Sequence, residues 1–209
     1  MKRMGMPKTI QPMQPTLYRR AFSSREWLFE PKWDGFRAIC FLDKGVVRFV
    51  SRNQRSLSEK FPVLQEGRED AKAMNAILDG EIVALDVDGM PFFGGLRSGR
   101  KARAYVIVFQ VFDLLYLDGQ SLVDESLVVR KRMLKKVLKK GARRRFCYTD
   151  HVVGEGERFF AEIERIGLEG MVAKKVDSVY VGGRSRDWLK IKTEVGRIEM
   201  QGRSERWHG

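Results

Sequence analysis

The stretch Glu30-Pro-Lys-Trp-Asp-Gly-Phe-Arg37 decides how this chain is interpreted. It places Lys32 directly after a short apolar strand predicted at residues 27–30, and the turn signal Asp34-Gly35 separates it from the next strand. A lysine in a mostly apolar, partly enclosed setting loses ammonium solvation, so a neutral amine becomes accessible that can attack a carbonyl or a phosphorus atom. A Lys-x-Asp-Gly tetrapeptide alone is a weak signal, and an exposed turn explains it better.

More polar motifs follow, within predicted strands or at their ends. They are Ser51-Arg52-Asn53, Leu78-Asp-Gly-Glu81, Val111-Phe-Asp-Leu114, Glu169-Gly-Met-Val-Ala-Lys174 and Trp188-Leu-Lys-Ile-Lys192. Lys190 and Lys192 alternate along a strand, which points both amines to one side. Cations in place would stabilise the negative charge that builds on phosphate oxygens during attack on phosphorus. Taken singly, each motif has an ordinary alternative: a solvated strand face for the lysines, water-facing carboxylates for Glu81 and Glu169, and a core position for Phe112.

The hydrophobic pattern predicts an α+β fold. Strands are predicted at 27–30, 36–43, 46–51, 78–86, 105–116, 170–175 and 188–192, and helices at 126–140 and 155–166. Mostly antiparallel strands with few intervening helices are typical of that class. A Gly- and Arg-rich loop at 94–103 would either clamp DNA phosphates or simply be solvated.

Composition narrows the function classes. The 209 residues carry a formal net charge of +13, which favours an anionic partner such as nucleic acid; the alternative is a solvated basic surface with no partner. No apolar stretch approaches the roughly 20 residues that span a bilayer, and no apolar segment follows the basic N-terminus, so neither a membrane anchor nor a secretory signal is predicted. Cys40 and Cys147 lie far apart, which argues against a disulfide framework or a zinc site and fits the cytoplasm.

In their order and spacing, these motifs resemble the covalent nucleotidyltransferase superfamily, and within it the ATP-dependent DNA ligases, particularly the ligase domain of bacterial end-joining ligases. The resemblance runs from about Leu17 to about Lys192. It implies the α+β core shared by DNA ligases and mRNA-capping enzymes, with antiparallel sheets flanked by helices and ATP between them. The predicted organisation is a flexible N-terminal arm at 1–16, a nucleotidyltransferase (adenylation) domain at 17–192 and a short basic tail at 193–209.

Carried over position by position, the resemblance also implies roles for individual residues. Lys32 becomes linked to AMP through a phosphoramide bond, and Lys190 and Lys192 hold the α-phosphate. The implied nucleotide-binding set is Glu30 at the adenine amino group, Arg37 and Arg52 near the nucleotide and later the nick phosphate, Glu81 near the ribose, Phe112 stacked on adenine, and Lys174. Glu169 and Glu81 are the implied carboxylates for Mg²⁺ or Mn²⁺, and Mg²⁺ favours one or two carboxylates with waters and phosphate oxygens.

The predicted activity is ATP-dependent sealing of nicked double-stranded DNA in repair. An RNA ligase or capping-type nucleotidyltransferase and a non-catalytic nucleic-acid-binding module are the alternatives. Ligases of this type carry an OB-fold after the last lysine motif, and only 17 residues follow Lys192 here. A separate OB-fold domain or end-joining proteins are therefore expected partners.

Overall fold

The computed structural model describes residues 5–91, 96, 105–141 and 143–198. Within these ranges the elements follow in this order: β1 (Met13–Leu17), β2 (Trp27–Pro31), β3 (Phe36–Asp43), β4 (Val46–Ser51), a 3-10 helix (Pro62–Asp70), β5 (Asn75–Leu85), β6 (Val106–Leu117), β7 (Gln120–Ser121), α1 (Leu127–Val137), β8 (Phe146–Tyr148), β9 (Val152–Val153), α2 (Gly156–Arg165), β10 (Gly170–Lys175) and β11 (Gly183–Lys192). They form two compact units. Unit 1 comprises Met1–Met13, Asp34–Thr149 and Asp177–Gly183, and unit 2 comprises Gln14–Trp33, Asp150–Val176 and Arg184–Gly209.

Unit 1 is built on a six-stranded sheet in the order β4-β3-β5-β6-β7, and β8 pairs in parallel with β6. The central strands β5 and β6 are buried over most of their length, which explains their near-continuous apolar sequence. Leu64 of the 3-10 helix and Leu134 and Val137 of α1 belong to the same apolar core as the sheet residues. Burial of that core is the main stabilising contribution to unit 1.

Unit 2 contains a five-stranded sheet in the order β1-β11-β10-β2-β9. Strand β10 is antiparallel to both of its neighbours, with Met171 opposite Pro31 of β2 and opposite Ile191 of β11. Phe29, Met171, Ala173 and Ile191 form the apolar core, against which α2 packs Phe159 and Phe160. This register places the start of β10 beside the end of β2 and the end of β11.

The hydrophobic pattern predicted the central elements well, and three strands (β3, β4 and β10) have the predicted bounds. It missed β1, β7, β8, β9 and the 3-10 helix, which are short or lack a clear alternation. Helix α1 ends at Val137 rather than at residue 140, because Leu138 bridges to Ala71 and the Lys139 N–H donates to the Asp70 carbonyl. Tertiary pairing therefore overrides a helical sequence there.

The compact units divide the chain differently from the predicted domain organisation, which stays a prediction. Strand β1 begins at Met13, inside the predicted arm at 1–16, and the predicted domain at 17–192 is divided between two units. The predicted loop at 94–103 lies outside the described residues, apart from the buried Leu96. No helix in the described ranges is long and apolar enough to cross a membrane.

Candidate active site

Lys32 lies immediately after β2 in unit 2, where its backbone N–H donates to the carbonyl of Gly170 at 2.9 Å. Its ammonium contacts the carboxylate of Glu169, the residue that precedes β10. The other Glu169 oxygen is 3.0 Å from the ammonium of Lys192 at the end of β11. The strand register explains the arrangement, because antiparallel pairing brings the end of β2 and the end of β11 to the start of β10.

In this cluster the buried carboxylate of Glu169 is surrounded by the ammonium groups of lysines. Glu169 is buried, which acts to raise its pKa, but the ammonium groups of Lys32 and Lys192 outweigh burial and lower it. Burial lowers the pKa of Lys190, and the positive charges of Lys32, Lys192 and Arg184 lower it further. The site thus gathers more positive charge than Glu169 neutralises, which suits an anionic ligand such as a phosphate.

A second pair in unit 2 joins two residues of the predicted nucleotide-binding set. The Lys174 ammonium lies 2.5 Å from the Glu30 carboxylate, and each side chain is almost fully buried. The Lys174 ammonium also lies 4.1 Å from the centre of the Trp188 ring, within the range of a cation–π contact. Sequence reasoning did not predict that Glu30 and Lys174 bind each other.

Unit 1 holds the other predicted residues. Arg37 on β3 makes two hydrogen bonds of 2.6 Å to the buried carboxylate of Asp79 on β5. Its guanidinium also lies 4.4 Å from the centre of the Phe112 ring, so the structure brings these two predicted residues together. Glu81 lies opposite Arg37 in the β3–β5 register, whereas Arg52 is exposed in the turn after β4.

The carboxylate of Asp79 is shared with a residue that sequence reasoning missed. The Tyr180 hydroxyl donates to Asp79 Oδ2 at 2.6 Å and accepts a hydrogen bond from the Met13 N–H at 3.0 Å. Burial raises the pKa of Tyr180 well above its ordinary value, and the Asp79 charge adds to this effect. Burial acts to lower the pKa of Arg37, but the same carboxylate raises it overall. The Leu78-Asp-Gly-Glu81 motif contains Asp79, but sequence reasoning singled out only Glu81 from it, and no motif signalled Tyr180.

Comparison with known proteins identifies the family. The sequence model described as ATP dependent DNA ligase domain matches residues 11–192, well over half of the chain. This chain belongs to that family. The ligase domain is 35% identical over 188 residues to the multifunctional non-homologous end joining protein LigD of Mycolicibacterium smegmatis, and the match covers 89% of this chain and 24% of that protein.

Two solved structures resemble this chain in fold. The ligase domain of LigD from M. tuberculosis aligns with a TM-score of 0.75 at 32% identity, over 87% of this chain and 59% of that one. A mycobacterial DNA ligase D complexed with ATP and MES aligns with a TM-score of 0.72 at 31% identity, over 87% of this chain and 60% of that one. The expected fold class, the α+β core of a ligase nucleotidyltransferase domain, is confirmed, although the parallel pairing of β8 with β6 makes one of the sheets mixed where antiparallel sheets were expected.

The carboxylates of this chain determine whether it could bind a divalent metal ion. In the described part of the chain no three His, Cys, Asp or Glu side chains group together as a metal cage would require. Mg²⁺ seldom uses such a cage and commonly takes one or two carboxylates, completing its shell with waters and substrate phosphates. Glu169, a buried carboxylate beside Lys32, fits that role. The predicted second carboxylate, Glu81, belongs to unit 1 and Glu169 to unit 2.

Proposed function

We propose that this ligase domain transfers AMP from ATP to the Nζ atom of Lys32 and then to the 5′-phosphate of a DNA nick, which it seals. The observation that carries the proposal is the cluster of Lys32, Glu169 and Lys192 at one end of the unit 2 sheet. Family membership and the ATP complex of a mycobacterial relative support ATP as the nucleotide. The end-joining name of the LigD relative supports double-stranded DNA breaks in repair as the setting.

The first step forms a P–N bond between Lys32 Nζ and the α-phosphorus of ATP, and the bond to the bridging oxygen of pyrophosphate breaks. Lys32 starts as an ammonium in contact with Glu169, so it must lose a proton before its lone pair can attack. The Glu169 carboxylate is within hydrogen-bond reach and would relay the proton to solvent, because the neighbouring ammonium groups lower its pKa and make it a weak final acceptor. Mg²⁺ or Mn²⁺ held by Glu169 and phosphate oxygens would withdraw negative charge from the reacting phosphate.

Lys190 and Lys192 supply the positive charge that the reaction requires. Burial lowers the pKa of Lys190, and repulsion from the neighbouring ammonium groups lowers it further; a bound phosphate would relieve that repulsion. Their charge is therefore available to stabilise the oxygens of the α-phosphate as negative charge builds there. Glu30, Lys174, Arg37, Arg52, Glu81 and Phe112 complete the proposed nucleotide-binding and nick-binding set.

Labelling with radioactive nucleotide tests the proposal. ATP labelled at the α-phosphate should leave one acid-labile, alkali-stable AMP on the chain, while labelled GTP should leave none. Lys32→Ala should abolish labelling, and Lys32→Arg should do so equally because a guanidinium stays protonated. Lys44→Ala, which changes an exposed lysine in the β3–β4 turn, is the matched control and should label normally.

Three results would count against the proposal. Labelling that survives Lys32→Arg would mean that another residue carries AMP. Labelling by GTP in preference to ATP would indicate a capping-type enzyme, and a chain that takes up neither nucleotide would be a binding module.

A further inference from the structure

Residues 130–145 carry an unusual share of the charge. Ten of the 40 Lys and Arg residues fall in this stretch, Arg-Lys-Arg-Met-Leu-Lys-Lys-Val-Leu-Lys-Lys-Gly-Ala-Arg-Arg-Arg, which contains no Asp or Glu. Without those ten charges the formal net charge of the chain would be +3 instead of +13. The charge that favours an anionic partner is therefore concentrated in α1 and the segment after it.

Four of these cations have structural partners inside unit 1. Arg130 is fully buried and pairs with Asp113 at 2.8 Å, and Lys131 donates to the carbonyl of Thr149 at 2.8 Å. Arg144 pairs with Asp70 and Arg145 with Glu66. These residues hold the fold together, so their charge is already balanced or hydrogen-bonded.

The other six form what we call the basic face: Arg132, Lys135, Lys136, Lys139, Lys140 and Arg143. Within the described residues, no carboxylate forms an ion pair with any of them. All are exposed except the partly exposed Lys139. The fold thus leaves six positive charges, close together in sequence, wholly or partly exposed to solvent.

Five of the six charges lie on two adjoining surfaces that share Lys135. Arg132, Lys135 and Lys136 share one side of α1 through their three- and four-residue spacing. Lys135, Lys139 and Lys140 also line a cavity of about 250 Å³ whose wall includes the Tyr148 ring. The Lys135 ammonium lies 5.3 Å from the centre of that ring.

Helix stabilisation does not explain the basic face. Lys135 and Lys136 in the last turn of α1 interact favourably with the helix dipole, but like charges three and four residues apart destabilise a helix by a comparable amount. Lys139, Lys140 and Arg143 lie beyond the helix, where the effect of its dipole falls off. A polyanionic partner would neutralise the mutual repulsion of all six.

An anionic membrane surface is unlike the partner that the basic face requires. An interfacial helix inserts an exposed apolar side into the bilayer, yet Leu127, Leu134 and Val137 of α1 are buried in the unit 1 core. What α1 exposes is chiefly regularly spaced positive charge. Regularly spaced negative charge on a stiff backbone, as in duplex DNA, is the complementary surface.

We propose that the basic face binds the sugar–phosphate backbone of duplex DNA, as a contact surface additional to the lysines that are proposed to bind AMP. The choice of DNA over other polyanions rests on the proposed ligase function, whereas the surface itself rests on the structure. Contacts to phosphates carry no sequence information, so the basic face would add affinity without base preference.

The test compares two variants with the same change in charge. In the first, Lys135, Lys136, Lys139 and Lys140 are each replaced by Gln. In the matched control, four exposed unit 1 cations outside residues 130–145, Lys8, Lys44, Arg55 and Lys60, are replaced in the same way. Fluorescence anisotropy gives the Kd for an intact duplex between about 50 and 200 mM salt, where counterion release dominates.

We expect the basic-face variant to lose about tenfold or more in affinity at the low-salt end. Its plot of log affinity against log salt should flatten by up to about 3–4 units, since each lost phosphate contact removes about 0.9. The control should change far less. Lysine–AMP labelling in the absence of DNA should be unaffected in both variants, so failure of the ligase proposal would show there and not in the duplex titration.

Two further measurements keep the result interpretable. Circular dichroism and thermal unfolding report whether the variants fold. Replacing the four lysines of the basic-face variant by Arg, which keeps their charge, should preserve duplex affinity. Equal losses in the basic-face variant and the control would overturn the proposal and assign the charge to a solvated surface. Unchanged duplex affinity together with lost binding to poly-glutamate would also overturn it, in favour of an acidic protein partner.

Discussion

Asp79 is the residue on which the Arg37 position depends. It is fully buried and accepts hydrogen bonds from the Arg37 guanidinium and the Tyr180 hydroxyl. Because the Tyr180 oxygen also accepts the Met13 N–H, one hydroxyl serves two buried groups. Asp79 and Tyr180 together therefore hold Arg37, which is proposed to contact the nucleotide and the nick, in its position.

Tyr180→Phe tests this arrangement with a single-atom deletion. We expect a loss in the free energy of unfolding of about 2–3 kcal/mol, because a hydrogen bond to a carboxylate is lost and the buried Met13 N–H loses its acceptor. Urea denaturation measures it. Asp79→Asn should cost more, since it also leaves Arg37 without its countercharge. A Tyr180→Phe chain as stable as the original would show that the hydroxyl is not needed.

Lys190 illustrates a conflict between stability and function. Its pKa is lowered by burial and by neighbouring cations, so keeping it charged destabilises the fold. Lys190→Met should raise the midpoint of thermal unfolding at neutral pH, yet lower the rate of AMP labelling by about 10²–10³, the size expected when one charge-stabilising group is removed.

The stability gained by Lys190→Met should depend on pH. A lysine with a lowered folded-state pKa carries its full cost below that pKa, and the cost fades as pH rises toward the ordinary value of 10.5. The stability gained by Lys190→Met should therefore be largest at neutral pH and shrink in alkaline buffer. A lower thermal midpoint in the variant would contradict this account of the cluster.

At the scale of the element, Gly80 in β5 shows why the Leu78-Asp-Gly-Glu81 motif contains a glycine. A Cβ atom there would lie 2.5 Å from the Gln110 carbonyl oxygen and 2.6 Å from the Phe109 ring. The β5–β6 register shifts between Asp79 and Gly80, so the two strands approach closely beside the Asp79 carboxylate.

Gly80→Ala should destabilise the fold by about 1–3 kcal/mol, the usual cost of overpacking a dense core. Thermal or urea unfolding measures the change. Gly5→Ala is the control, since no atom lies within 4 Å of a Cβ at that position. If both substitutions have the same small effect, close packing is not the reason for the glycine.

At the scale of the whole molecule, the chain passes between the two units repeatedly, so neither unit is a continuous segment. Unit 2 is assembled from Gln14–Trp33, Asp150–Val176 and Arg184–Gly209. Each of these segments supplies one member of the cluster of Lys32, Glu169 and Lys192. The candidate site therefore forms only when three distant parts of the chain pair in one sheet.

The sequence by itself determined the family, the α+β class and most of the longer strands. Strands β3, β4 and β10 were predictable because alternating or continuous apolar residues report local burial, and the motif order identified the ligase family. The short β1 and β9 were not, because their pairing partners stabilise them more than their own residues do.

Only the tertiary structure decided which side chains bind each other. Lys32 and Glu169 are 137 residues apart, and Asp79 and Tyr180 are 101 apart. Sequence reasoning placed Glu169 at a metal site and passed over Tyr180. Such contacts depend on strand register and on the packing of distant segments, which are set by the energy of the assembled sheet and leave no trace in local hydrophobic periodicity.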